Sequence, residues 1–169
     1  VAFPQWSQEA VIGSVVELYR AGLLTTVGGE KERTALSASA NILTAWIHVT
    51  NSCNLRCDYC YLTKTSDGMD VETGYAAIDA IFRSAIAQNF RGVKIKYSGG
   101  EATLSFPLVE HLHKQAHRLA AELGLFLDGV VLSNGVAIGE RLIESMKRLH
   151  LRLAVSLDGV GVAHNEQRA

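Results

Sequence analysis

Ile42-Leu-Thr-Ala-Trp-Ile-His-Val49 runs almost directly into Asn51-Ser-Cys-Asn-Leu-Arg-Cys-Asp-Tyr-Cys-Tyr61, and this junction decides how the chain is read. The first stretch is rich in β-branched and aromatic residues, which favour a strand. The second carries Cys53, Cys57 and Cys60, and the chain has no other cysteine. The spacing is C-x3-C-x2-C, so three thiols share one short loop behind a strand. A [4Fe–4S] cluster is ordinarily held by four cysteines, one per iron. Three ligands leave one iron open to a substrate or cofactor.

Two rival uses of clustered cysteines fit less well. Structural zinc usually closes a set of four ligands, often as two separated pairs. No second C-x-x-C exists here, and the only nearby histidine, His48, lies in the apolar strand. A disulfide framework is opposed by the odd cysteine count and by the lack of a visible signal peptide.

Working outward, strands and helices alternate. A helix is expected after the loop, capped by Asp70, with Tyr75, Ile78, Ile81, Phe82, Ala85 and Ile86 at three- and four-residue steps. Val93–Tyr97 alternates as a second strand and ends at Ser98-Gly-Gly-Glu101. Ser105 or Phe106 opens a second helix with Leu108, Leu112, Ala116, Leu119 and Leu123 on one face, closed by Gly124. Asp128-Gly129 reads as a turn into a short strand, Val130–Leu132, that ends at Ser133-Asn-Gly135. A third helix carries Ile138, Leu142, Ile143, Met146 and Leu149, and a fourth strand, Leu151–Val155, ends at Ser156-Leu-Asp-Gly159.

This alternation predicts an α/β fold with a parallel sheet and crossover helices. Each chemically suggestive motif then falls just after the C-terminal end of a strand, the edge at which such sheets build their sites. Taken alone, Gly99-Gly100 and Asn134-Gly135 are ordinary turn signals. Four loops meeting on one rim give them a second meaning.

The cysteine spacing, with aromatic Tyr59 before the third cysteine, resembles the radical S-adenosylmethionine (SAM) enzymes. In that family the amino and carboxylate groups of SAM chelate the open iron. One electron from the cluster cleaves SAM to methionine and a 5′-deoxyadenosyl radical, which abstracts hydrogen from the substrate. The resemblance spans about residues 42–169 and implies Cys53, Cys57 and Cys60 as cluster ligands. It assigns Gly99, Gly100 and Glu101 to the amino group of SAM, and Ser133 and Asn134 to its polar parts. Ser156 falls in the same SAM-binding set, and Tyr59 is placed beside adenine. Ala102 stands where the family often has proline.

Ser156-Leu-Asp-Gly159 followed by His164-Asn-Glu-Gln-Arg168 is similar to a run in the peptide- and protein-modifying branch, which includes anaerobic sulfatase-maturating enzymes and ribosomal-peptide maturases. There the arginine contacts SAM, which implies that role for Arg168. Asn165 stands where aspartate is usual. The resemblance implies a partial parallel (β/α) barrel, here truncated to about four strands and preceded by an N-terminal helix. It also implies a peptide or protein substrate and an external electron donor such as flavodoxin or ferredoxin. A half-barrel exposes a sheet edge, which invites aggregation and loss of activity in isolation.

The bulk properties agree. Over 169 residues the chain is 48% hydrophobic and 20% charged, with a net charge of −1. That leaves no basic excess for nucleic acid. No apolar run approaches the roughly 20 residues needed to span a bilayer. Three free thiols suit a reducing compartment, and a cytoplasmic location is expected.

Residues 1–40 are set apart from a core at 41–169. Ser7–Leu24 reads as an amphipathic helix and 28–39 as a linker; the helix either closes one end of the barrel or ends a peptide-recognition module. His113 and His117, one turn apart, are expected as an exposed pair flanking the apolar stripe. Arg56 and Lys64 add positive charge near the cysteines. The alternatives are a zinc-binding interaction domain, and a cluster-binding relative that no longer cleaves SAM.

Overall fold

The computed structural model describes residues 8–20 and 41–168. Helix α1, Gln8–Arg20, belongs to a compact unit of its own, and the linker expected at 28–39 lies outside the described residues. The second unit runs β1 (Ile42–His48), α2 (Val71–Ala87), β2 (Gly92–Ser98), a 3-10 turn (Ala102–Ser105), α3 (Phe106–Leu123), β3 (Phe126–Ser133), α4 (Glu140–Arg148), β4 (Leu151–Val155) and α5 (Val162–Gln167).

The local causes are plain. Asp70 caps α2, its Oδ1 accepting from Thr73 N at 2.7 Å and its Oδ2 from the Thr73 hydroxyl at 2.8 Å. Pro107 sits in the first turn of α3, where its missing N–H costs nothing, and Gly124 ends that helix at φ 65°.

The strands form one parallel sheet in the order β1-β2-β3-β4. Val93, Ile95 and Tyr97 of β2 are fully buried. They meet Ile78, Phe82 and Ala85 of α2 and Val109, Leu112 and Ala116 of α3 in one core. Burying a side chain of this size contributes about 1.5–3 kcal/mol, so this helix-covered face holds the sheet. The alternate residues Lys94, Lys96 and Ser98 lie on the other face.

Two expectations need correcting here. Asp128-Gly129 is not a turn; both lie inside β3, which starts at Phe126. Asp128 is kept in the strand by partners on both sides, Lys94 of β2 at 3.4 Å and Arg152 of β4 through Nε at 2.9 Å. Ile138 lies before α4, whose N-cap is Gly139.

The expected exposed pair on α3 is also corrected, because His113 is only 2% exposed. The buried face of α3 runs through Val109, Leu112, His113, Ala116 and Ala120, turned from the predicted stripe, and Leu123 is left exposed. Gly129 explains the turn: a Cβ there would lie 2.4 Å from His113 Cε1. The missing side chain in β3 is the space that His113 occupies. Its Nε2 is 3.1 Å from Leu149 O, and its Nδ1 is 3.2 Å from the Tyr97 hydroxyl. A carbonyl can only accept, so Nε2 carries the proton and Nδ1 accepts from Tyr97.

Candidate functional site

The cysteine loop is closed at its base by main chain. Val49 N donates to Ser98 O at 2.8 Å, carrying the β1–β2 ladder past the strand ends. Thr50 pairs antiparallel with Gly68, and Asn51 N donates to Asp67 O at 2.8 Å. Inside the loop Ser52 Oγ donates to Thr65 O at 3.1 Å. Cys60 N donates to Cys57 O at 3.1 Å, a tight turn that brings the last two cysteines together. All three cysteines are free and half-buried. The Leu62 N–H, and after it Lys64, hold the Cys60 thiol below its usual value against the opposing effect of burial.

Gly99 and Gly100 bring β2's end against this loop. A Cβ on Gly99 would lie 2.5 Å from Thr50 O, and one on Gly100 2.3 Å from Ser52 O. Gly100 N and Glu101 N donate to those two carbonyls at 2.7 and 2.8 Å. The glycines are therefore required by the approach of the protein's own cysteine loop.

Glu101 is buried, at 1% exposure. Its Oε1 accepts from Thr103 N at 3.1 Å and from the Thr103 hydroxyl at 2.5 Å; its Oε2 accepts from Asn134 N at 2.7 Å. Three of about four acceptor directions of the carboxylate are thus filled. Glu101 fastens the β2 rim to the β3 rim. Asn134 in turn donates through Nδ2 to Asn54 Oδ1 at 2.8 Å and reaches Cys53 Sγ at 3.9 Å. Ser133 Oγ accepts from Gly135 N at 3.0 Å, and Ser156 N donates to Ser133 O at 2.9 Å, which links the β4 rim.

Arg168 closes the circuit. Its Nε donates to Asp158 Oδ2 at 2.6 Å and its Nη2 to Oδ1 at 3.2 Å, a two-pronged grip. The Tyr59 hydroxyl donates to the same Asp158 Oδ2, and the guanidinium lies 5.8 Å from the Tyr59 ring centroid. Arg168, with Tyr59 beside it, holds the Asp158 carboxyl below its usual range. The aspartate that orients Arg168 is therefore Asp158, at the strand end. The sequence offers Asp158 as a strand-end turn residue or a substrate-facing one, and leaves this pairing unseen because its partners lie 10 and 99 residues away.

All the residues expected at the cofactor and metal sites line one cavity of about 270 Å³: the three cysteines, Tyr59, Gly99-Gly100-Glu101, Ser133-Asn134, Ser156 and Arg168. Trp46 and Lys64 join them; the sequence marks Lys64 only as nearby charge and Trp46 only as a strand residue. The donor set fits an iron–sulfur cluster. Three free thiols share one cavity with the Asn134 amide and the Lys64 ammonium. A cubane spreads three such thiolates over separate irons.

The sequence pattern of the Radical SAM superfamily matches residues 47–166. The chain belongs to the radical SAM superfamily. An uncharacterized protein of Methanocaldococcus jannaschii is 30% identical over 117 residues, covering 69% of this chain and 38% of that protein. An S-adenosylmethionine-dependent nucleotide dehydratase of Psychrobacter lutiphocae is 26% identical over 141 residues, 76% of this chain and 44% of the dehydratase. The radical SAM chain thus spans less than half the length of these relatives. Among solved structures, the anaerobic sulfatase-maturating enzyme anSMEcpe with bound AdoMet superposes with a TM-score of 0.63 at 21% identity. The same enzyme with AdoMet and the Kp18Cys peptide gives 0.64 at 24%. In both cases 75% of this chain and 35% of the other is covered. This likeness shows the radical SAM-type fold.

Proposed function

We propose that this chain holds the [4Fe–4S] cluster and S-adenosylmethionine of an enzyme that takes hydrogen from a peptide or protein side chain. The observation that carries the reading is the convergence of Cys53, Cys57 and Cys60 with the rims of β2, β3 and β4 on one cavity, in a chain of this superfamily. When bound, the reduced cluster supplies the electron that cleaves SAM to methionine and a 5′-deoxyadenosyl radical.

The protein's residues then have distinct tasks. Cys53, Cys57 and Cys60 bind as thiolates, and Lys64 offsets part of their charge. Asn134, within reach of Cys53 Sγ, offers an amide N–H to that sulfur. Gly99 and Gly100 seat the cysteine loop, and Glu101 keeps one acceptor direction for the ammonium of SAM. Arg168 has five N–H donors, of which two engage Asp158; the others serve the SAM carboxylate. Tyr59 stacks beside adenine while Asp158 holds its hydroxyl. An external donor such as flavodoxin or ferredoxin supplies the electron in a reducing cytoplasm. No helix among the described residues is long and apolar enough to cross a membrane.

A peptide substrate is favoured by the Ser156-Leu-Asp-Gly159…His164-Asn-Glu-Gln-Arg168 run. A nucleotide substrate is the second reading, favoured by the 26% identity to the Psychrobacter dehydratase.

The test is anaerobic reconstitution with iron and sulfide, followed by low-temperature electron paramagnetic resonance of the reduced protein. A [4Fe–4S]⁺ signal that shifts on adding SAM is expected. A cluster signal indifferent to SAM would show a relative that no longer uses it. One zinc per chain and no cluster would overturn the proposal.

A further inference from the structure

The sheet face opposite the helices carries a charge pattern of its own. Registry places Trp46, Lys96, Val130 and Arg152 side by side across the four strands, with Thr44, Lys94 and Asp128 in the row below. Ser98, Leu132 and Ser156, from the same alternating set, line the cysteine cavity together with Trp46. The charged rows therefore continue directly from the cavity. A parallel strand rises about 3.3 Å per residue, so Lys96 lies about 7 Å and Lys94 about 13 Å below Ser98.

The sign of the charge on this face is decided. Its strand positions carry Lys94, Lys96 and Arg152 against a single carboxylate, Asp128. Asp128 fixes two of the cations, Lys94 at 3.4 Å and Arg152 through Nε at 2.9 Å. Lys96 instead stands over Trp46, its Nζ 4.6 Å from the ring centroid. The face thus keeps a surplus of two positive charges in a chain whose net charge is −1. Trp46 is 63% exposed, leaving an aromatic wall beside the cations for an apolar or flat part of a ligand.

We infer that this face selects an anionic substrate, one whose carboxylate or phosphate group sits about 7 Å below the level of Ser98 at the cavity. Lys96 and Arg152 are its contacts, and Trp46 packs against the segment between anion and reacting carbon. This rests on the reading under Proposed function and names the substrate class for that site. An acidic peptide segment and a nucleotide phosphate offer the same chemistry.

The experiment uses the full chain without cluster or SAM, so that its failure is separate from failure of the SAM site. Trp6→Phe leaves Trp46 as the only tryptophan. Its emission is followed while adding inorganic tripolyphosphate, tetraglutamate or tetraglutamine. At least one of the two anions is expected to bind and change the emission as Lys96 moves off the ring, and tetraglutamine is not. Lys96→Gln with Arg152→Gln should weaken the binding, read by calorimetry, at least about tenfold. Lys96→Arg should retain it, and Arg168→Gln should leave it within about twofold. Which anion binds identifies the source of the charge. Binding of neither anion, equal binding of tetraglutamine, or loss confined to Arg168→Gln would overturn the inference. Circular dichroism and the SAM-induced resonance shift of the double variant establish that the fold and the SAM site survive.

Discussion

At the scale of single residues the decisive groups are those whose partners lie far along the chain. Asp158 engages Arg168 and Tyr59 at once. Asp158→Asn should lower SAM affinity about tenfold, measured by equilibrium dialysis on reconstituted protein, with iron content unchanged. His113 is the second such residue. Burial pushes its pKa down to about 4, against the hydrogen bond to Leu149 O, which raises it. The folded protein keeps His113 neutral while the unfolded chain takes up a proton near 6.5, so its contribution is complete above that pH. It is lost as pH falls from about 6.5 to about 4, and amounts to roughly 3 kcal/mol at most. Urea unfolding at pH 7 and pH 4.5 should show this slope, and His113→Gln should flatten it by that amount. Neither role was legible in the sequence. Asp158 looks like any strand-end aspartate, and His113 lies beside an apolar stripe whose true centre is set by Gly129 in another strand.

Strands and helices, by contrast, were read well wherever the signal was local. Asp70 and Gly124 mark helix ends through their own side-chain chemistry or backbone freedom, and the sequence carries that directly. The start of β3 departs from the sequence expectation because Asp-Gly ordinarily turns a chain. Here Asp128 is paired across both neighbouring strands and Gly129 makes room for a ring. Gly129→Ala should therefore destabilise by about 1–3 kcal/mol through overpacking, and adding His113→Ala should recover part of that loss in a double-mutant cycle. Gly100→Ala tests the contact between β2's end and the cysteine loop. Its methyl meets Ser52 O, a backbone atom, so the loop must shift. Reconstituted iron per chain should fall while far-ultraviolet circular dichroism stays unchanged.

For the molecule as a whole, the parallel order and the gathering of motifs on one rim could be anticipated, because strand ends are where alternating α/β chains place their sites. The bonds that join the rims could not. Glu101 to Asn134, Ser156 to Ser133 and Asp158 to Tyr59 are pairings across the sheet edge that no local pattern encodes. A ligand seated among four such loops stabilises all of them together. At SAM concentrations about a hundredfold above Kd, the gain of roughly 2.7 kcal/mol should raise the melting temperature of the reconstituted protein by roughly 5–10 °C. One feature of the cysteine loop bears on how such a protein is made. The pairing of Thr50 with Gly68 shuts the loop at its neck, and none of the three cysteines belongs to the core. On the proposed reading the loop's neck is closed without iron, and metal delivery would be a separate, later stage of maturation. Loss of the proposed cluster to oxygen would then empty the vessel rather than break it, and repair would require fresh iron and sulfide but no new synthesis of the chain.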